Sequence, residues 1–100
     1  MTNDLNQIRD EMLAVHVDIF GPTSLDKRLD DIWEEAFELG TFINEANLKE
    51  EVSDLLSSLL CLAAERGFDI QELVQMNYTK MAERKANGHY QRTGEATRSI

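Results

Sequence analysis

Four stretches of this chain repeat their apolar residues at steps of three and four, the period of a helix, and none alternates as a strand would. Leu5, Ile8, Met12, Val15 and Ile19 mark the first, from Asp4 to Phe20. Gly21-Pro22-Thr23-Ser24 ends it, because proline removes a donor and glycine relaxes the backbone, and Ser24 or Thr23 is placed to cap a second helix over about 25–44. The apolar stripe of that helix is Leu29, Ile32, Trp33, Ala36, Leu39, Gly40 and Ile43. Asparagines suited to a turn lie between Asn44 and Asn47 and lead to a third helix over about 48–66, leucine-rich on one face from Leu48 to Leu62. Arg66-Gly67 gives it a basic last turn and a left-handed stop. Asp69, with Glu72 three residues on, has capping-box spacing for a fourth helix that carries Ile70, Leu73, Val74 and Met81 and ends before Asn87-Gly88. Four helices with short connections predict an all-α, four-helix bundle-like fold.

One hundred residues suit one domain, residues 1–100, with a core over about 4–86 and a polar tail over 87–100. Such a core is modest, and a second copy would enlarge it. The formal charge of -9 disfavours a nucleic-acid polymer or an anionic membrane as partner, so phosphates would have to be handled through cations. The lone cysteine, Cys61, lies in an apolar run and reads as a buried reduced thiol, which points to the cytoplasm. The first residues lack a basic segment followed by an apolar stretch, and no run is long enough to span a bilayer, so no signal peptide and no membrane span are expected.

The acidic residues are grouped. On the second helix Asp31, Glu34, Glu35 and Glu38 share an arc of about 100°, and on the third Glu51 and Asp54 are again three apart. One reading is a solvated face, since the arc on the second helix lies opposite its apolar stripe. The other is a cup of carboxylates for Mg²⁺, which takes oxygen ligands and shares them with waters and phosphates. Glu51 favours the cup, because it sits at the edge of the leucine face. Crowding does too, since unit charges about 4 Å apart repel by about 4 kcal/mol at an effective dielectric near 20.

On the fourth helix Asn77, Lys80 and Arg84 are spaced i, i+3, i+7 and share the face of Ile70, Leu73 and Met81. Cations directed toward a core are costly unless paired. Either they snorkel or pair with a neighbouring helix, or they meet an anion, and metals on one side of a polyphosphate with Lys and Arg on the other would serve its hydrolysis.

The chain resembles the MazG-like branch of the all-α nucleotide pyrophosphohydrolases. The resemblance rests on Glu34-Glu35-x-x-Glu38, a gap of twelve residues, Glu51-x-x-Asp54, a hydrophobic helix ending at Gly67, and Asn77-x-x-Lys80-x-x-x-Arg84, and it covers about 25–85. It implies a MazG-type domain in a homodimer or tetramer, whose sites draw on more than one subunit. It also implies Mg²⁺ held by Glu35, Glu38, Glu51 and Asp54, with Mn²⁺ able to substitute. The implied reaction cleaves a (deoxy)nucleoside triphosphate between the α and β phosphates, giving the monophosphate and pyrophosphate, as in a house-cleaning or pool-controlling enzyme. Glu34 would orient or deprotonate the attacking water, and Asn77, Lys80 and Arg84 would take the phosphates. Trp33 and His16 are candidates for the base pocket, Trp33 being equally suited to a core and His16 to a structural place. Asp31 reads as surface. Two alternatives stand beside this: a phosphoribosyl-ATP pyrophosphohydrolase-like enzyme, and a noncatalytic acidic helical dimer that binds a basic protein.

Overall fold

A computed structural model describes residues 4–88. It contains four helices, α1 (Leu5–Phe20), α2 (Leu25–Gly40), α3 (Glu45–Arg66) and α4 (Ile70–Ala86), and no strand among the described residues. The part of the expected tail from residue 89 onward lies outside them.

Local chemistry sets most boundaries. Asp4 caps α1 by accepting from the Asn6 and Gln7 N–H groups, and Ser24 Oγ accepts from Lys27 N–H at 3.1 Å to start α2. Gly67 has φ 69°, and beyond α3 its N–H returns to Ala64 O while Phe68 N–H returns to Ala63 O, the paired bonds of a Schellman stop. One expected boundary moves: α2 ends at Gly40 and α3 begins at Glu45, not near 44 and 48. Thr41 ends α2, its hydroxyl directed to the Phe37 and Glu38 carbonyls. Asn44 and Asn47 form no loose turn. Asn44 Oδ1 accepts from Asn47 N–H at 2.9 Å, and Asn47 Oδ1 reaches back to Ile43 N–H at 3.0 Å, so the two amides cap α3 between them.

The described chain divides into two compact units between Ile70 and Gln71. In the first, α1 and α2 both pack on α3. Contacts run in opposite directions along the partners: Asn6 meets Asp69 while His16 meets Ser57, and Arg28 pairs with Glu65 while Glu35 feels Asp54. Small side chains let two helices approach α3 at once, and its buried residues are Ser58, Cys61 and Ala63 rather than the leucines. The first turn of α1 secures the end of this unit. Asn6 donates to Asp69 and accepts from Ile70 N–H, and Arg9 donates to the Phe68 carbonyl. The second unit holds the rest of α4, in which no residue is buried.

The orientation of α2 departs from its amphipathic pattern. Its aromatic stripe faces outward, with Trp33 80% and Phe37 72% exposed, whereas Arg28 is buried and Asp31 and Glu35 are half-buried. Helical spacing explains which residues travel together. Arg28, Asp31, Glu35 and Glu38 form one stripe of α2, and Glu51, Asp54, Ser58, Cys61 and Glu65 form one stripe of α3. The Arg28–Glu65 ion pair and the mutual field of the acids show these two stripes facing each other. The acidic arc is therefore divided: Asp31 and Glu35 turn toward α3 and are half-buried, while Glu34 and Glu38 stay exposed. Among the described residues the only buried apolar side chains are Cys61 and Ala63. No described helix is long and apolar enough to cross a membrane.

Candidate functional site

Between α1, α2 and α3 lies a cleft of about 760 Å³. It is lined by His16 and Phe20 of α1, by Lys27, Arg28, Asp31 and Glu35 of α2, and by Asp54, Ser57 and Ser58 of α3. Residues 21–23 of the α1–α2 connection close one end. Asp31, expected as surface, is in the cleft and accepts from Lys27 one turn before it.

Electrostatics make Glu35 its most perturbed carboxylate. Desolvation raises its pKa above the ordinary carboxylate range, and the charges of Asp54, Glu38, Glu51 and Asp31 raise it further. The other three acids expected to share a cation thus all act on Glu35, from α2 and α3 alike. Two oxygens of the set are exceptional: Glu35 Oε1 and Glu51 Oε1 are buried with no hydrogen-bond partner. An orphaned carboxylate oxygen in a crowd of like charges has a high cost. The other Glu51 oxygen, Oε2, accepts from Asn47 Nδ2 at 3.2 Å, so the amide that caps α3 also fixes this acid. Hard oxygen donors of this kind fit Mg²⁺ or Mn²⁺. Among the described residues no three acidic, histidine or cysteine side chains are grouped so that together they could hold a metal ion. A Mg²⁺ site does not require such a group, because one or two carboxylates suffice when waters and phosphates complete the octahedron.

His16 lines the cleft from α1. Ser57 Oγ donates to the Asp54 carbonyl at 3.1 Å and stands 3.4 Å from His16 Nε2. The ring is tilted 57° against Phe20. Trp33 is elsewhere. It lies in a second depression on the outer face of α2 with Phe37, Asp30 and Glu34, so within one chain the two candidates for the base pocket are not brought together. Glu34 faces that depression as well, one residue and about 100° away from Glu35.

Asn77, Lys80 and Arg84 are exposed on one face of α4, in the second unit. Two residues that the sequence reading passed over are Arg28 and Glu65. The Arg28 guanidinium is buried and forms a fork with Glu65, Nε to Oε1 at 2.9 Å and Nη2 to Oε2 at 3.0 Å. Spacing carried the signal. Arg28 stands seven residues before Glu35 and Glu65 eleven after Asp54, so each shares a face with an acid of the set. Cys61, fully buried beside this pair, has its thiol pKa raised by desolvation, an effect that Arg28 opposes.

A charged inter-helical seam with orphaned carboxylates, on four helices in this order, is one architecture. The family described as MazG nucleotide pyrophosphohydrolase domain matches residues 23–89. The chain belongs to that family. The MazG match begins just before the Ser24 cap and takes in the whole acidic set together with Asn77, Lys80 and Arg84. No curated protein and no solved structure matches the chain. Membership supports a hydrolase acting on a nucleotide phosphoanhydride, and the all-helical architecture is that expected of a MazG domain.

Proposed function

We propose that this protein is a Mg²⁺-dependent nucleoside triphosphate pyrophosphohydrolase, cleaving between the α and β phosphates to release a nucleoside monophosphate and pyrophosphate. The observation that carries this reading is the pair of buried, partnerless oxygens on Glu35 and Glu51, inside a MazG match, with Glu35 in the field of Asp54, Glu38 and Glu51. Glu35, Glu38, Glu51 and Asp54 would hold Mg²⁺, with Mn²⁺ able to replace it. When bound, the ion would supply neutralisation of the phosphate oxygens and polarisation of the phosphorus under attack.

The chain's own residues would do the rest. Asn47 keeps Glu51 turned inward, and burial of Glu35 excludes part of the water that would weaken its grip. Asn77, Lys80 and Arg84, sharing a face of α4, are assigned to the phosphates and the departing pyrophosphate. Glu34 is the candidate for orienting the attacking water, and full turnover in Glu34→Gln would move that role to another acid. A homodimer or tetramer is part of the proposal, because a single copy leaves Trp33, Phe37 and the apolar residues of α4 uncovered.

A panel of common nucleoside triphosphates, phosphoribosyl-ATP and guanosine polyphosphates, assayed for pyrophosphate release with Mg²⁺ and with chelator, tests the reading and names the substrate. Release that ignores the chelator, or none from any compound, refutes it. The second result, joined to a lack of any Mg²⁺ effect on melting, would favour an acidic helical module that binds a basic protein.

A further inference from the structure

The Arg28–Glu65 fork leaves part of the guanidinium unused. Its Nε and Nη2 each give one hydrogen bond to Glu65, and Nη1 has no acceptor among the described residues. Nη1 is also not among the sealed, unpartnered side-chain polar atoms, which among the described residues are Glu35 Oε1 and Glu51 Oε1. Arg28 is only 5% exposed and lines the cleft, and its Nη1 is neither paired nor sealed. Lys27 lines the same cleft, and Glu35 lies two turns further along the same face of α2.

We propose that Arg28, held rigid by Glu65, is an anion-binding residue that takes a phosphoryl oxygen of the substrate or of a product. This rests on the pyrophosphohydrolase reading only for the identity of the anion. Three features suit the task. A guanidinium gives directed hydrogen bonds to phosphate oxygens, where an ammonium acts as a point charge. The fork with Glu65 fixes the plane before any ligand arrives, so little side-chain entropy remains to be lost. The position completes the charge pattern of the cleft, with cations at the α2 N-terminal end and carboxylates beyond. A purely structural ion pair between α2 and α3 would not need to line the cleft or to keep an amino edge free.

The test is binding of inorganic pyrophosphate, and separately of nucleoside monophosphates, to the full-length protein in Mg²⁺ buffer by calorimetry. Arg28→Lys keeps the charge and loses the fork. The double variant Arg28→Met/Glu65→Met replaces the pair with apolar groups of similar size, a change that buried ion pairs often tolerate without loss of stability. Both variants are expected to bind at least one of the two anion classes about 10- to 100-fold more weakly, the range of a charge-assisted hydrogen bond. The class affected tells which phosphoryl group Arg28 takes. Wild-type affinity for both classes in a folded double variant would make Arg28 structural and overturn the proposal. If neither variant folds, the Arg28 side-chain ¹⁵N resonances of the wild-type protein decide: they shift on titration with pyrophosphate or with monophosphate, and their constancy with both overturns the proposal. Pyrophosphate binding that depends on Arg28, with no pyrophosphate released from any nucleotide, would retain this inference and refute the hydrolase. Turnover with wild-type anion affinity in the double variant would do the reverse.

Discussion

Replacing Glu35 with glutamine should stabilise the metal-free protein and abolish its response to Mg²⁺, a reversal of sign that few other mechanisms predict. Glu35 is half-buried, one of its oxygens has no partner, and Asp54, Glu38 and Glu51 all act to keep its proton on. A unit-charge pair about 8 Å apart at an effective dielectric near 40 repels by about 1 kcal/mol. Discounting three such neighbours for their partial exposure leaves about 1 kcal/mol in all. For a chain of this size that corresponds to a melting temperature higher by about 4–8 °C in chelator. The pH dependence has a definite sign. Because the folded pKa of Glu35 is raised, the native state holds the proton more tightly than the unfolded one, and stability falls as pH rises from the ordinary carboxylate pKa through the folded value. Glu35→Gln should flatten that decline. With Mg²⁺ at about 100 times its Kd the wild-type chain should gain about 2.7 kcal/mol by mass action, and the variant much less. Scanning calorimetry in chelator and in Mg²⁺, over a pH series, reads all of this. A variant that melts at or below the wild type in chelator, and responds equally to Mg²⁺, would refute both the strain at Glu35 and its place in the metal site.

Further outcomes follow from the same structure. Glu38→Gln, Glu51→Gln and Asp54→Asn should each lower Mg²⁺-dependent pyrophosphate release by about 100-fold or more, as loss of a ligand should in a site whose catalysis rests on charge stabilisation; full activity in the pair Glu38→Gln and Asp54→Asn would show the ion to be elsewhere. Asn47→Ala removes a cap contact and the hydrogen bond to Glu51, so it should cost about 1 kcal/mol in denaturant unfolding and weaken Mg²⁺ about tenfold. Gly67→Ala forces a side chain into the left-handed region and should destabilise by about 1 kcal/mol, with pyrophosphate release per folded molecule unchanged. Trp33 is the chain's single tryptophan and is open in one copy, so its emission should be blue at high concentration and move to the red on dilution; emission that stays red at every concentration would contradict assembly over the outer face of α2.

Local rules made the helices legible. Asp4, Ser24 and Gly67 act within a few residues of the ends they set, and the sequence shows all three. The shift at the α2–α3 junction has the same origin, since Asn44 and Asn47 are good turn residues and equally good caps, and their reciprocal bonds resolve the ambiguity. What periodicity does not carry is which face of a helix meets which neighbour. It separates Trp33 and Phe37 from Arg28 and Glu35 on α2, and the usual assumption sends the aromatic side inward. The Arg28–Glu65 fork and the opposed acids send the charged side there instead. Arg28 itself was hidden by its surroundings, because a basic residue between Lys27 and three nearby aspartates looks like part of a mixed surface. The acids were easier to see, since their spacing on two helices does not depend on how those helices pack.

The scarcity of buried apolar side chains in α1–α3 also governs how stability varies with temperature. Curvature of the stability curve comes from the heat capacity of apolar surface exposed on unfolding. A unit whose buried apolar residues, among those described, are Cys61 and Ala63 exposes less of it than a domain with a full core, so one copy alone should have a shallow curve and a broad, weakly cooperative melt. Whatever surface covers Trp33 and Phe37 would bring the missing heat capacity with it. Sharp melting in this protein would then be a property of the covered state and not of the single chain.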